Sequence, residues 1–141
     1  MIGDATLTLQ LTTFFLAGLT AAGAAVDWVS SPVDQTRPLN GTTTFDCLVG
    51  GGGVGDRTVL WTKTRDGGGA ARRRTLFIDE APFDAPARYR STRARDGSGY
   101  RLTIAGIEAD DDAEYTCEIQ QLGKASAHLS VLGNYERVNR N

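Results

Sequence analysis

Asp111-Asp112-Ala113-Glu114-Tyr115-Thr116-Cys117 reads as a chain corner running into a strand. Ala113, Tyr115, Cys117 and Ile119 alternate with Glu114, Thr116, Glu118 and Gln120, the period-2 pattern of a strand with one buried face. Working outward, Leu102-Thr103-Ile104 precedes the corner with the same alternation. Cys47 lies 70 residues before Cys117, and Trp61 follows Cys47 by 14. Thr43–Val49, Val59–Lys63, Arg74–Ile78, Arg88–Thr92 and Ser126–Val131 add further short apolar or alternating segments. Glycine-rich turns separate several of them, Gly50–Gly53 and Asp66–Gly69 among them. Residues 26–132 show no sustained helical periodicity. Many short strands spaced by turns predict an all-β sandwich or barrel.

The N-terminus has a different character. Leu7, Leu9, Leu11, Phe14, Phe15, Leu16 and Leu19 make an apolar run too short for a membrane span, and Ala22-Gly23-Ala24 follows with the small-residue pattern of a cleavage site. Residues 1–25 therefore read as a signal peptide, although Asp4 stands where a basic residue is usual. In a secreted chain, Cys47 and Cys117 are expected to pair. Asn40-Gly41-Thr42 is the single N-x-[ST] sequon and marks Asn40 for glycosylation. Residues 133–141 read as a polar tail or linker.

The order Cys47, Trp61, L-x-I at Leu102–Ile104 and D-x-A-x-Y-x-C at Asp111–Cys117 resembles a variable-type domain of the immunoglobulin superfamily. That resemblance implies a Greek-key β-sandwich over residues 26–132 with one inter-sheet disulfide. It places Trp61 against the disulfide and Tyr115 at a tyrosine corner, and it pairs Arg88 with Asp111 across the base of the sandwich. The 70-residue separation of the cysteines leaves room for the extra C′ and C″ strands. Gln120-Gln121-Leu122-Gly123-Lys124 is a short hairpin with no F-G-x-G after it, unlike an antigen receptor. The strings Val59-Leu60-Trp61-Thr62-Lys63, Ala87-Arg88-Tyr89 and Asp112–Cys117 resemble the outermost domain of invertebrate neural adhesion proteins: lachesin, the IgLON group, the Dpr and DIP receptors, and more distantly the nephrin-like group.

Composition excludes other classes. The 141 residues carry a formal net charge of −2, which gives no support for nucleic-acid binding. Two Cys and one His are too few for a zinc finger or a His-based catalytic centre. Gly50, Gly52 and Gly55 satisfy G-x-G-x-x-G, but a strand follows where a dinucleotide site needs a helix. Of Asp110, Asp111 and Asp112, two are explained by the corner, Asp111 by the Arg88 partner that the resemblance implies, rather than by calcium. No catalytic constellation, cofactor site or metal site is expected. Charge is unevenly spread: residues 57–101 hold eleven basic and five acidic side chains, about +6, and residues 102–141 three and seven, about −4. Arg72, Arg73 and Arg74, with Arg88, Arg90, Arg93 and Arg95, form an Arg-rich edge suited to heparan sulfate or an acidic protein.

In the family resembled, recognition uses the exposed face of the G-F-C-C′ sheet. With Trp61, Tyr115 and Cys117 inward, Leu60, Thr62, Thr116, Glu118, Gln120, Ser126 and His128 point outward, joined from C′ by Leu76 or Ile78. An apolar centre at Leu60, rimmed by polar groups, has the anatomy of a protein interface. The expected function is an extracellular adhesion or recognition module binding another immunoglobulin-type domain. The alternative is a soluble, secreted single-domain immune or ligand-binding protein. No membrane span or hydrophobic anchor signal is read in the chain, whereas adhesion relatives carry several domains and an anchor. A full-length transcript separates a fragment from a complete secreted protein.

Overall fold

The alternating segments pair into two sheets in a computed structural model that describes residues 26–67 and 70–133. Residues 1–25, read from the sequence as a signal peptide, and residues 134–141 lie outside the described residues. In chain order the strands are β1 (Trp28–Ser30), β2 (Gln35–Pro38), β3 (Thr43–Val49), β4 (Val59–Gly67), β5 (Ala70–Ile78), β6 (Ala81–Pro82), β7 (Tyr89–Arg93), β8 (Gly99–Ile104), β9 (Ala113–Ile119) and β10 (Gly123–Leu132). A single 3-10 turn, Ala109–Asp111, precedes β9. One sheet has the order β1-β3-β8-β7, the other β2-β10-β9-β4-β5-β6. This is an immunoglobulin-like sandwich of the variable type, in which β5 and β6 supply the additional C′ and C″ strands. The N-terminal segment changes sheets: β1 pairs antiparallel with β3, then β2 pairs parallel with β10.

Inward positions of both sheets make one core. Phe45, Trp61, Leu102, Ile104, Ile107, Tyr115 and Leu129 are all buried in it, and the rings of Phe45 and Tyr115 stack with centroids 5.3 Å apart. Cys47 on β3 and Cys117 on β9 form the disulfide between the sheets, Cα atoms 6.3 Å apart, and both are fully buried. Trp61 sits directly opposite Cys117 in the β4–β9 register.

Two close approaches need glycine. A Cβ at Gly99 would lie 1.8 Å from the Cys47 carbonyl oxygen, where β8 runs against β3. One at Gly53 would lie 2.2 Å from the Gly97 oxygen, where the β3–β4 loop rests on the β7–β8 turn.

Candidate functional site

The base of the sandwich is closed by charge. The Arg88 guanidinium donates to both oxygens of Asp111, at 2.8 and 3.2 Å, and to the carbonyls of Ala105 and Gly106. Arg88 keeps about a quarter of its side chain exposed (27%), whereas Asp111 is 1% exposed. Asp111 also accepts from the Glu108 N–H and from the Tyr89 hydroxyl, and its backbone oxygen takes the Tyr115 hydroxyl proton at 2.7 Å. Lys63 enters the same cluster from β4. Its ammonium donates to Tyr89 Oη at 3.1 Å and stands 3.8 Å from Asp111 Oδ1, with the side chain 4% exposed. The sequence places Lys63 on the inward side of β4, beside Trp61. A lysine at an inward position needs a carboxylate, and that was the available signal for its role.

Burial raises the Asp111 carboxyl pKa, but hydrogen bonds from Arg88, Glu108 and Tyr89 outweigh burial and hold it below the ordinary aspartate range. Burial lowers Lys63, and Asp111 only partly offsets this. Burial raises the Tyr89 and Tyr115 hydroxyls, so both stay protonated. A carboxyl depressed in the folded state stabilises it above the unfolded pKa, about 3.9 for Asp, and loses that contribution as pH falls through the folded value. Urea unfolding between pH 7 and pH 2 is therefore expected to show an acid limb starting near pH 4. The limb should flatten in Asp111→Asn, and an unchanged limb in that variant would assign it to other carboxylates.

The outward face of the six-stranded sheet is ordered in rows. Lys124, Glu118, Leu60, Ile78 and Ala81 lie side by side across β10, β9, β4, β5 and β6. Ser126, Thr116, Thr62 and Thr75 form the next row, and His128, Glu114, Thr64 and Arg73 the one after. Leu60 is half-buried, Ile78 is 39% exposed, and Gln120 and His128 are exposed. Thr58, Leu60, Glu118 and Gln120 line a hollow of about 240 Å³.

Three residues expected on this surface are covered. Thr62 and Thr116 do occupy outward positions, but they are only 2% and 8% exposed. Arg73, one row below Thr62, reaches Glu118, one row above it, at 3.6 Å, so the ion pair spans the threonine row diagonally. Thr116 is further tied to Ser126 through their hydroxyls at 2.6 Å. Leu76 is fully buried. The register slips between Trp61 and Thr62, leaving Leu76 as the extra residue of a bulge, so it turns into the core and Ile78 alone faces outward.

Phe83 stands at the outer edge of this sheet, in the bend after β6, where its N–H bonds the Leu76 oxygen. At 72% exposure it is the most exposed large apolar side chain among the described residues. In the sequence it reads only as part of a proline-containing loop.

The remaining candidates are placed as follows. His128 Nε2 lies 3.0 Å from Asp112 Oδ1. Asp112 also accepts from the Val131 N–H, and Asp110 stands 3.7 Å from Arg65, so each of the three aspartates has its own partner. Asn40 is exposed in the tight β2–β3 turn at φ 68°. The arginines are divided between the two sheets. Arg73 and Arg74 belong to the six-stranded sheet and pair with Glu118 and Asp84, whereas Arg90, Arg93, Arg95 and Arg101 lie on or next to the four-stranded sheet. No helix among the described residues is long and apolar enough to cross a membrane.

The fold defines an immunoglobulin-like domain, and a solved structure of that kind matches it. The crystal structure of the RIG-5 IG1 homodimer superposes with a TM-score of 0.61 at 22% sequence identity, covering 76% of this chain and 95% of that one. No protein-family model matches the sequence.

Proposed function

We propose that the chain is an extracellular recognition module of the adhesion type, like the outermost domains of the neural adhesion proteins named above. It binds another immunoglobulin-type domain through the outward face of β10, β9, β4 and β5. The observation that carries this reading is the apolar centre Leu60–Ile78, rimmed by Glu118, Gln120 and His128, with exposed Phe83 at the β6 edge of the same sheet. Apolar anchors inside a polar rim concentrate binding energy where water is excluded. Lys124 and Arg73 share the face with Glu118 and Glu114, so its charges suit a second copy as well as a related partner. The similar RIG-5 IG1 structure is a homodimer, which makes self-association the first outcome to measure. Secretion, an N-linked glycan on Asn40 and a non-catalytic role belong to the same proposal.

The apolar centre is only Leu60 and Ile78 and the rest of the face is polar, so a dissociation constant of about micromolar order is expected. Sedimentation velocity over a concentration series tests it, with surface plasmon resonance against immunoglobulin-type partners. Ile78→Asp and Leu60→Asp should abolish binding, and Ile78→Asp should leave the melting temperature nearly unchanged because the side chain is already exposed. Val29→Asp, on β1 in the other sheet, should bind as wild type does. Full binding by Ile78→Asp and Leu60→Asp would place the interface elsewhere.

A further inference from the structure

A second surface lies on the other sheet. Beside the contact of the glycine-rich β3–β4 loop with the β7–β8 turn lies an open groove of about 930 Å³, lined by Val29, Leu48, Gly50, Gly52 and Gly53. Its charged lining is three arginines, Arg93, Arg95 and Arg101, against one carboxylate, Asp96. Arg101 is neutralised by Asp46 at 3.1 Å. Arg93 is held differently. Its guanidinium donates to Tyr100 Oη at 3.0 Å and to the Gly55 oxygen at 3.3 Å, and it lies over the Tyr100 ring, 5.6 Å from the centroid. All of these partners are neutral. The neighbouring Glu80 carboxylate accepts the Arg93 backbone N–H instead. Among the described residues, neither Arg93 nor Arg95 forms a side-chain ion pair. A guanidinium already fixed in place, with its charge unspent, loses little conformational freedom when an anion arrives.

We propose that this groove binds a sulfated polysaccharide chain. Sulfate groups pair with Arg93 and Arg95, and the C–H faces of the sugar rings lie on exposed Val29. The glycine stretch suits a bulky polymer: a Cβ at Gly51 or Gly52 would meet nothing within 4 Å, so the wall there is bare backbone and open space. Single-stranded nucleic acid fits less well, because base stacking needs an open aromatic platform, whereas Tyr100 is buried under Arg93 and Trp28 packs half-buried against the core. An anionic lipid surface fits less well too, because the cations line a concavity rather than a protruding face. The proposal is independent of the recognition face on the opposite sheet.

The test is binding of the full chain to immobilised heparin at physiological salt. Wild type is expected to bind, with affinity falling as salt rises. Arg95→Ala and Arg93→Gln should each weaken binding roughly tenfold, the loss of one charge-assisted contact. Asp96→Asn should tighten it, while Arg72→Ala and Arg73→Ala should leave it unchanged. Arg95 is exposed and unpaired, so Arg95→Ala keeps the test decisive if Arg93→Gln fails to fold. The proposal is overturned if wild type does not bind heparin, if Arg95→Ala binds as wild type does, or if only the Arg72 and Arg73 variants lose affinity. Binding to phosphatidylserine vesicles or single-stranded DNA without binding to heparin also overturns it.

Discussion

Asp111→Ala is expected to lower the stability of the domain by about 3–5 kcal/mol, the cost of breaking a buried ion pair from one side. At about 4–8 °C per kcal/mol for a domain of this size, the melting temperature should fall by well over ten degrees. The size of the effect comes from what is left behind. Arg88 can turn its exposed part to water, but Lys63 cannot, because its side chain is 4% exposed and its other polar partner is the Tyr89 hydroxyl. The Glu108 N–H and the Tyr89 hydroxyl also lose their acceptor. Asp110→Ala should change little, since Asp110 is 80% exposed and its contact with Arg65 is a surface pair. If the stranded lysine is the main cost, Lys63→Met should be less damaging in the Asp111→Ala background than in wild type. Differential scanning calorimetry of the four variants decides it. Equal losses for Asp110→Ala and Asp111→Ala would refute the account.

Loss of the disulfide is the other large effect. Cys47 and Cys117 join residues 70 apart, and in the chain-entropy model closing such a loop stabilises the fold by roughly 4 kcal/mol. A Cys47→Ala/Cys117→Ala double variant should therefore lose about 2–5 kcal/mol. Both sulfurs sit in the core beside Trp61, so the variant also leaves packing gaps that alanine does not fill. Chemical denaturation followed by the fluorescence of Trp28 and Trp61 measures the loss. Intact-mass analysis of the secreted wild-type protein should find no free thiol, and two free thiols there would refute the pairing.

The class of fold was legible in the chain because its determinants are local or of fixed spacing. Period-2 alternation assigns inward and outward faces strand by strand. The cysteines, Trp61 and the corner before Cys117 stand at separations that sandwich geometry dictates. The same alternation puts Leu60, Glu118 and His128 on the outward side of their strands. Exposure is another matter, because it depends on what crosses above a residue. Thr62 and Thr116 are outward and yet covered, since Arg73 and Glu118 meet over them from strands whose register no single segment reveals. Leu76 and Ile78 were indistinguishable until the bulge opposite Trp61 and Thr62 decided which one turns in. A bulge is an accommodation between two paired strands, so neither strand's pattern shows it alone. Phe83 and Arg93 depend on the same kind of information. One is exposed because the chain bends beyond Pro82 at the edge of the six-stranded sheet. The other keeps its charge because the hydroxyl and carbonyl that hold it come from β8 and the β3–β4 loop, and such neighbours exist only once the two sheets have packed.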